Sequence, residues 1–382
     1  MITRRTWVGK IEAAWERSSV IWLRGTRRTG KTSLARSLAG GEHLDCELPG
    51  VRRALEEPEV VLGGLQGRRV VLDEVHRLHN GPEVLKVAAE RFPDVRMLAI
   101  GPAKLEACGT FGSTLLSGVK EIWLTPMVQA DLVDFGNSDL SHRFVHGGLP
   151  PHFLSPALPE KEFQGWMDAY WAKDAQGLFR LERREPFQRF IELVMARSGD
   201  MFEATQFTAQ CGASRGTIMK YLAALEATGV ALVVHPFSSR RSHEIIAAPK
   251  VYGFDTGFVC VHRGWTQLRS DDLGRLWEQH VLNEIAARTQ ATAVRYWRDK
   301  QGHEVSFVCA PAGGKLLGLQ CAWSVSDLDP AGLLVFARNY PESRLLVATT
   351  DAELSFKRTY NGVAVEFVGL GEAVSQMAEA LA

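Results

Sequence analysis

The residues Gly25, Thr26, Arg27, Arg28, Thr29, Gly30, Lys31 and Thr32 fit the pattern G-x-x-x-x-G-K-[ST]. Glycines at both ends let a backbone curl around an anion without Cβ clashes. Successive N–H groups and the start of a helix then face the anion. A lysine here reaches β- and γ-phosphates, and the following hydroxyl suits magnesium. Further along, the apolar run "RRVVLDEV" ends in Asp73 and Glu74. An aspartate at a strand tip can hold magnesium through water, and a glutamate beside it can polarise an attacking water. Together these segments predict a site for ATP or ADP with Mg2+. Gly25 through Ser33 would cradle the nucleotide, Thr32 and Asp73 would hold the metal, and Glu74 would be the catalytic carboxylate.

Such a loop works only where a strand delivers it and a helix follows. "VIWL" (20–23) precedes it and "KTSLARSL" follows. "RVVLDEV" (69–75), "VRMLAI" (95–100) and "EIWLTP" (121–126) are further short apolar runs. Near-continuous apolar strands suit a parallel sheet covered on both faces, and helical stretches between them predict an α/β layer sandwich. The run "GGLP" (147–150) marks the first boundary, so residues 1–150 form the expected nucleotide-binding domain.

From Phe163 to about Glu226 the pattern is helical. "EFQGWMDAYWAKD" carries aromatics at helical spacing, and "PFQRFIELVMARSG" puts Phe190, Leu193 and Val194 on one face. "MFEATQFTAQCG" and "SRGTIMKYLAALEATG" then read as a helix-turn-helix, the second helix capped by Ser214 and ended near Gly229. A hairpin follows, "VALVVHPF" and "KVYGFDTG" around a polar tip. The unit 151–268 is therefore predicted to be a helical linker and winged helix. From 269 to 382 a helix, "LGRLWEQHVLNEIAAR", precedes several strands, a nuclease-like or other small α/β pattern.

Lys plus Arg (44) balances Asp plus Glu (44) among 382 residues, so no global basic field points to nucleic acid. From 205 to 250, five Lys/Arg stand against two acids. Arg215, Thr217 and Lys220 on the second helix, with Arg240 and Arg241 on the hairpin tip, are the candidate DNA contacts. The alternative is a protein-binding element with a solvated basic tip. The ten tryptophans read mainly as core, and His76 and His79 as surface histidines. The six cysteines include no C-x-x-C pair, which removes zinc-ribbon and thioredoxin-like readings. The N-terminal residues lack the roughly 7–15-residue apolar core of a secretory signal. No apolar run reaches the roughly 18 residues of a membrane span. The expectation is a soluble, cytoplasmic protein with no membrane partner.

The order of motifs resembles AAA-type P-loop ATPases that carry a C-terminal DUF4143 region. "LRGTRRTGKTSLAR" looks like that family's phosphate loop and "VVLDEVHRL" like its Walker B strand. "GGLP", "YWAKD", "SRGTIMKYLAALE", "PKVYGFDTGF", "LWEQHVLNEI" and "VRYWRDKQGHEVSFV" follow in the expected order. The resemblance implies an AAA-like ATPase core, a winged helix and a PD-(D/E)xK nuclease-like end.

Departures from that family shape the functional expectation. Where relatives read "TGSS" after a core strand, this chain has "IGPA" (100–103), and neither Pro102 nor Ala103 offers a side-chain hydrogen bond. Where relatives carry an arginine, a candidate finger for a neighbouring subunit, this chain has Val119 and Lys120. Lysine lacks the planar guanidinium fork, leaving Arg27 or Arg28 to compensate. At the nuclease-like end Glu278 and Glu284 remain as helix candidates. The aspartate position is Ser306, and E-x-K has become Gln320, Cys321 and Ala322. Neutral oxygens replace the carboxylates that a hard cation wants, so no metal-dependent nuclease activity is expected. The predicted protein binds ATP and is a slow or partner-dependent ATPase, coupled to a C-terminal half that binds DNA or protein; it is a homo-oligomer or has a protein partner. The rival readings are a non-hydrolysing nucleotide-bound switch or scaffold and a DNA-binding regulator.

Overall fold

The computed structural model describes residues 2–38, 40–108, 118–158, 160–237, 248–291, 293–311 and 314–381. By packing they form two compact units. The first comprises Met1–Leu140, Gly148–Arg184 and Ala223–Val230, and the second Ser141–Gly147, Glu185–Leu222 and Ala231–Ala382.

The first unit is built on strands β1 (Val20–Arg24), β2 (Gly41–Asp45), β3 (Arg69–Asp73), β4 (Arg96–Gly101) and β5 (Val119–Trp123). Their order is β2-β3-β4-β1-β5, and every neighbouring pair is parallel. Side chains alternate across the pleat, and here both sets are buried. Trp22, Val70, Leu72, Met97 and Ala99 pack in one cluster with Leu62, Leu85 and Ala88 from the helices. Ile21, Leu23, Val71, Leu98 and Ile100 are buried as well. The four apolar runs read from sequence are thus β1, β3, β4 and β5. Strand β2 escaped that reading because "GEHLD" is an edge strand with no buried residue. The unit also takes in Gly148–Arg184, beyond the sequence boundary at 150.

Among the described residues the second unit carries nine strands: β6 (Asp200–Met201), β7 (Ala231–Pro236), β8 (Lys250–Gly253), β9 (Arg295–Arg298), β10 (Glu304–Cys309), β11 (Leu317–Cys321), β12 (Arg344–Ala348), β13 (Phe356–Tyr360) and β14 (Val363–Val368). Their order is β13-β14-β12-β11-β10-β9-β7-β8-β6. The parallel pairing of β7 with β9, His235 opposite Arg295, places strands from either side of residue 268 in one sheet. Phe190, Phe202, Phe207 and Tyr221 form an aromatic cluster that holds the helices Arg184–Ala196, Thr205–Cys211 and Arg215–Ala227 together. Ser214 caps the last of these, its Oγ accepting from the Thr217 N–H at 3.2 Å.

Trp22 explains part of the "IGPA" sequence. Its indole N–H donates to the Ala103 carbonyl at 3.0 Å, and its ring lies where any side chain at Gly101 would point. Only glycine leaves room for that ring beside the turn that ends β4. Gly101→Ala should therefore destabilise the protein by about 1–3 kcal/mol through overpacking, measured as a lower denaturant midpoint at unchanged m-value.

Candidate nucleotide site

Strand β1 is buried throughout and delivers the loop at Gly25. A Cβ on Gly25 would stand 2.5 Å from the Leu124 carbonyl oxygen, so this position needs glycine. Gly30 has φ +95°, a left-handed conformation that glycine adopts without cost, and it leads into the helix Lys31–Ser37. The Lys31 ammonium lies inside the loop, donating to the carbonyls of Gly25 at 2.7 Å and Thr26 at 3.1 Å. Burial pulls its pKa below the ordinary lysine value, against the opposing pull of Glu74 and Asp174. Thr29 is fully buried, and its hydroxyl donates to Thr26 O at 2.8 Å. Ser33 is exposed at the cavity margin.

The Thr32 hydroxyl donates to Asp73 Oδ2 at 2.8 Å. A hydroxyl beside a carboxylate suits Mg2+, which keeps several waters and phosphate oxygens in its shell. Among the described residues no cluster of three or more His, Cys, Asp or Glu could hold a metal by itself. Glu74 follows with φ +55°, rare outside glycine and a form of strain that gathers at functional sites. Its Oε2 is buried without a hydrogen-bond partner, and burial raises its pKa above the ordinary carboxylate value.

His76 corrects the surface reading made from sequence. Its side chain is buried, with Nδ1 at 3.3 Å from Glu74 Oε2. Burial drives its pKa down to about 3, so it stands neutral beside the carboxylate. His79 is exposed.

Three contributors were not identified as site residues from sequence. Arg4 is buried and its Nη1 donates to Thr29 O and Thr125 O, both at 3.0 Å. Trp166 Nε1 donates to the Arg27 carbonyl at 3.0 Å. Asp174, in a π-helical turn spanning Trp171–Ala175, accepts from Arg27 Nε at 2.7 Å. Wide π-turns of this kind are frequent at functional sites. "YWAKD" was visible as a family motif, but nothing in its local pattern said that its aspartate faces the phosphate loop. Arg28 has φ +64°, and its guanidinium lies 3.2 Å from His152 Nε2.

Arg4, Arg28 and Asp174 help to line a cavity of about 600 Å³. Arg27, Lys31, Thr32, Glu74 and Asp174 are among its polar lining, and Ile2, Phe135, Pro150, Pro151 and Leu154 among its apolar lining. Pro102 lines the cavity as expected from its sequence position, whereas Lys120 is exposed on β5. Of the candidate nucleic-acid contacts, Arg215 and Lys220 are exposed and Thr217 is half-buried. Arg240 and Arg241 lie outside the described residues.

A second cavity, of about 840 Å³, lies in the second unit and is lined by Lys250, Tyr252, Glu278, Arg298 and Glu304, among others. Lys250 had been counted from sequence in the local basic excess. It is buried, and its ammonium donates to Glu304 and, at 3.2 Å, to Glu278 Oε1. Tyr252 OH donates to Glu278 Oε1 at 2.5 Å, Ser306 Oγ to Glu278 Oε2 at 2.7 Å, and Arg298 Nη1 to Glu304 Oε2 at 2.9 Å. Every carboxylate oxygen of the pair thus faces a protein donor. Gln320 Oε1 accepts from the Ser306 N–H at 3.2 Å. Of the expected metal-ligand positions, Glu278, Ser306 and Gln320 do come together, and Glu278 binds an ammonium. A divalent cation does not fit this set of donors. Glu284 stands 3.5 Å from His280 instead.

Comparison with known proteins divides the chain three ways. Residues 17–133 match an AAA domain, 137–269 a domain of unknown function, DUF8612, and 273–367 a domain of unknown function, DUF4143. Two relatives, the uncharacterized proteins Rv2008c of Mycobacterium tuberculosis and Mb2031c of Mycobacterium bovis, are each 27% identical over 326 residues, 82% of this chain and 72% of theirs. Among solved structures, a Walker-type ATPase of Pyrococcus abyssi aligns with 69% of this chain and 96% of its own at 14% identity and a TM-score of 0.45. No helix among the described residues is long and apolar enough to cross a membrane. The chain thus joins a segment that matches an AAA domain to one that matches DUF4143, with a DUF8612 match between them.

Two outcomes are expected. Lys31→Ala should weaken ATP binding by about 10–100-fold, the worth of a charge-assisted hydrogen bond, measured by titration with a fluorescent nucleotide. Lys250→Ala should cost about 1–3 kcal/mol by leaving a half-buried carboxylate pair without its ammonium. Burial pushes Glu278 upward, but Lys250, Tyr252 and Ser306 together hold its pKa below the ordinary glutamate value. Its contribution is therefore complete above the unfolded-state pKa and fades as pH falls through the lowered one. Acid unfolding of Lys250→Ala should accordingly begin at higher pH than that of the wild type.

Proposed function

We propose that this protein is a slow ATPase whose nucleotide state is passed to a C-terminal half that engages DNA or a protein. The observation that carries the reading is the pairing of the Thr32 hydroxyl with Asp73, beside a Glu74 whose buried Oε2 has no hydrogen-bond partner. When bound, Mg2+ would be held by Thr32 and Asp73 and would neutralise charge on the β- and γ-phosphates. Glu74 orients a water and accepts its proton. A bond forms between the water oxygen and the γ-phosphorus, and the bond from that phosphorus to the bridging oxygen breaks, releasing ADP and phosphate.

Coupling is supported by contacts at the end of the helix Arg215–Ala227. Thr228 Oγ1 lies 2.8 Å from Tyr170 OH, and the Lys104 N–H donates to Ala227 O at 2.9 Å. Tyr170 immediately precedes the π-turn that holds Asp174, and Lys104 follows Pro102 of the cavity wall. Three helices with β6–β8 support a winged-helix reading, and the helix Ser270–Thr289 with β9–β12 supports a nuclease-like one. The Lys250 network supports an inactive nuclease site. In this reading 1–150 binds nucleotide, 151–268 is the linker and winged helix, and 269–382 is the degenerate nuclease-like end.

Glu74→Gln should lower ATP turnover by about 10²–10⁴-fold while leaving ATP binding within a few-fold, the range for loss of a general base. Turnover is measured with and without DNA. Equal rates for wild type and variant would remove Glu74 from the mechanism. Intact ATP persisting on fresh wild-type protein would favour a nucleotide-held switch. DNA affinity and salt slope unchanged by Lys31→Ala would favour a DNA-binding regulator.

A further inference from the structure

Hydrolysis of ATP builds negative charge on the γ-phosphate oxygens, and an arginine placed there commonly accelerates it. Sequence places no arginine at Val119 or Lys120, and the phosphate loop holds two. The two differ in geometry. Arg28 is exposed and its Nη1 lies against His152. Arg27 is held on both backbone and side chain by one helical segment: Trp166 binds its carbonyl and Asp174 binds its Nε. Among the described residues its side chain bonds only through Nε, which leaves both Nη groups without a protein acceptor. A guanidinium anchored at Nε keeps its two-nitrogen fork for another planar or tetrahedral anion. Arg27 lines the same cavity as Lys31, Thr32 and Glu74.

Asp174 is as specific as its partner. Its side chain is about 2% exposed, it lines the same cavity, and its Oδ1 is buried with no hydrogen-bond partner. A buried carboxylate with one satisfied oxygen is costly as a purely structural device. The loss of polar side chains at 102 and 103 also leaves this end of the site short of donors.

We infer that Arg27, set in place by Asp174, is the chain's own arginine for the γ-phosphate of bound ATP, so that turnover requires no arginine from a neighbouring subunit. This inference rests on the ATPase reading above and decides where its missing charge comes from. Arg27 would act on the phosphate, and Asp174 is a positioning residue.

The test uses the full chain and four variants, Arg27→Ala, Arg27→Lys, Asp174→Ala and Asp174→Asn, all compared with wild type for thermal unfolding. Binding of MgADP alone and of MgADP with aluminium fluoride, a mimic of the transferred phosphoryl group, is titrated first. The expected result is that fluoride tightens MgADP binding to wild type and that Arg27→Ala loses this gain on the order of 10³-fold, a loss well beyond any weakening of MgADP alone. Asp174→Ala should lose most of the gain. Asp174→Asn, which keeps an acceptor for Nε, should recover part of it, and Arg27→Lys should not. In turnover, kcat should fall with KM nearly constant, and wild-type specific activity should not rise with protein concentration. Mixing Arg27→Ala with Glu74→Gln should restore nothing if the arginine acts within its own chain. Restored activity in that mixture, or a fluoride gain untouched by Arg27→Ala, would overturn the inference. Failure of wild type to bind MgATP or MgADP at all would instead overturn the nucleotide reading beneath it.

Discussion

A loop that turns its N–H groups toward an anion must dispose of its carbonyl oxygens elsewhere, because buried backbone acceptors left unpaired are costly. This constraint organises the first unit. Lys31 takes the carbonyls of Gly25 and Thr26, Trp166 takes that of Arg27, and Arg4 takes that of Thr29. The donors come from the loop's own helix, from the segment after residue 147 and from the extreme N-terminal strand of chain. Those distant segments are needed because the loop is short and rigid: one glycine is closed in by Leu124, and the other is left-handed. The loop's shape is thus fixed by residues that its motif does not include.

The two polar cavities differ in how they treat buried charge. In the second unit, Lys250, Tyr252, Ser306 and Arg298 provide donors for all four oxygens of Glu278 and Glu304. A closed set of this kind is costly to break. In the nucleotide site Thr26 Oγ1, Glu74 Oε2 and Asp174 Oδ1 are buried and have no hydrogen-bond partner. Native structures rarely leave such atoms unpaired without a functional reason. The contrast is physical: at one site Glu278 and Glu304 have donors for all their carboxylate oxygens, and the other leaves three buried oxygens without a hydrogen-bond partner.

Much of this arrangement was legible in the residues. Strands β1, β3, β4 and β5 are continuous apolar runs, and burial on both faces requires that pattern. The loop and the Asp73–Glu74 tip carry their chemistry in residue type and spacing. Strand β2 was not legible, since an exposed edge strand leaves no hydrophobic signal. Asp174 was quoted only as part of a motif, because its role depends on a tertiary approach across more than a hundred residues of chain. Lys250 misled for the same reason. A lysine near a basic hairpin reads as surface charge until Glu278, on a helix, and Glu304, on another strand, are folded against it. His76 looked solvated because its neighbours in sequence are polar, while its side chain turns inward beside Glu74.

Trp166 and Tyr170 connect loop geometry to the rest of the unit. They lie on one helix with rings stacked at 5.1 Å. Trp166 grips the phosphate loop, and the Tyr170 hydroxyl meets Thr228 just beyond the helix Arg215–Ala227. Buried aromatics packed at this density have little freedom to adjust independently. A displacement of Arg27 or Asp174 on nucleotide exchange would therefore be borne by the whole segment rather than by one side chain. The chain leaves this unit just beyond Thr228, so the helix that binds the Arg27 carbonyl also meets the residue near that exit.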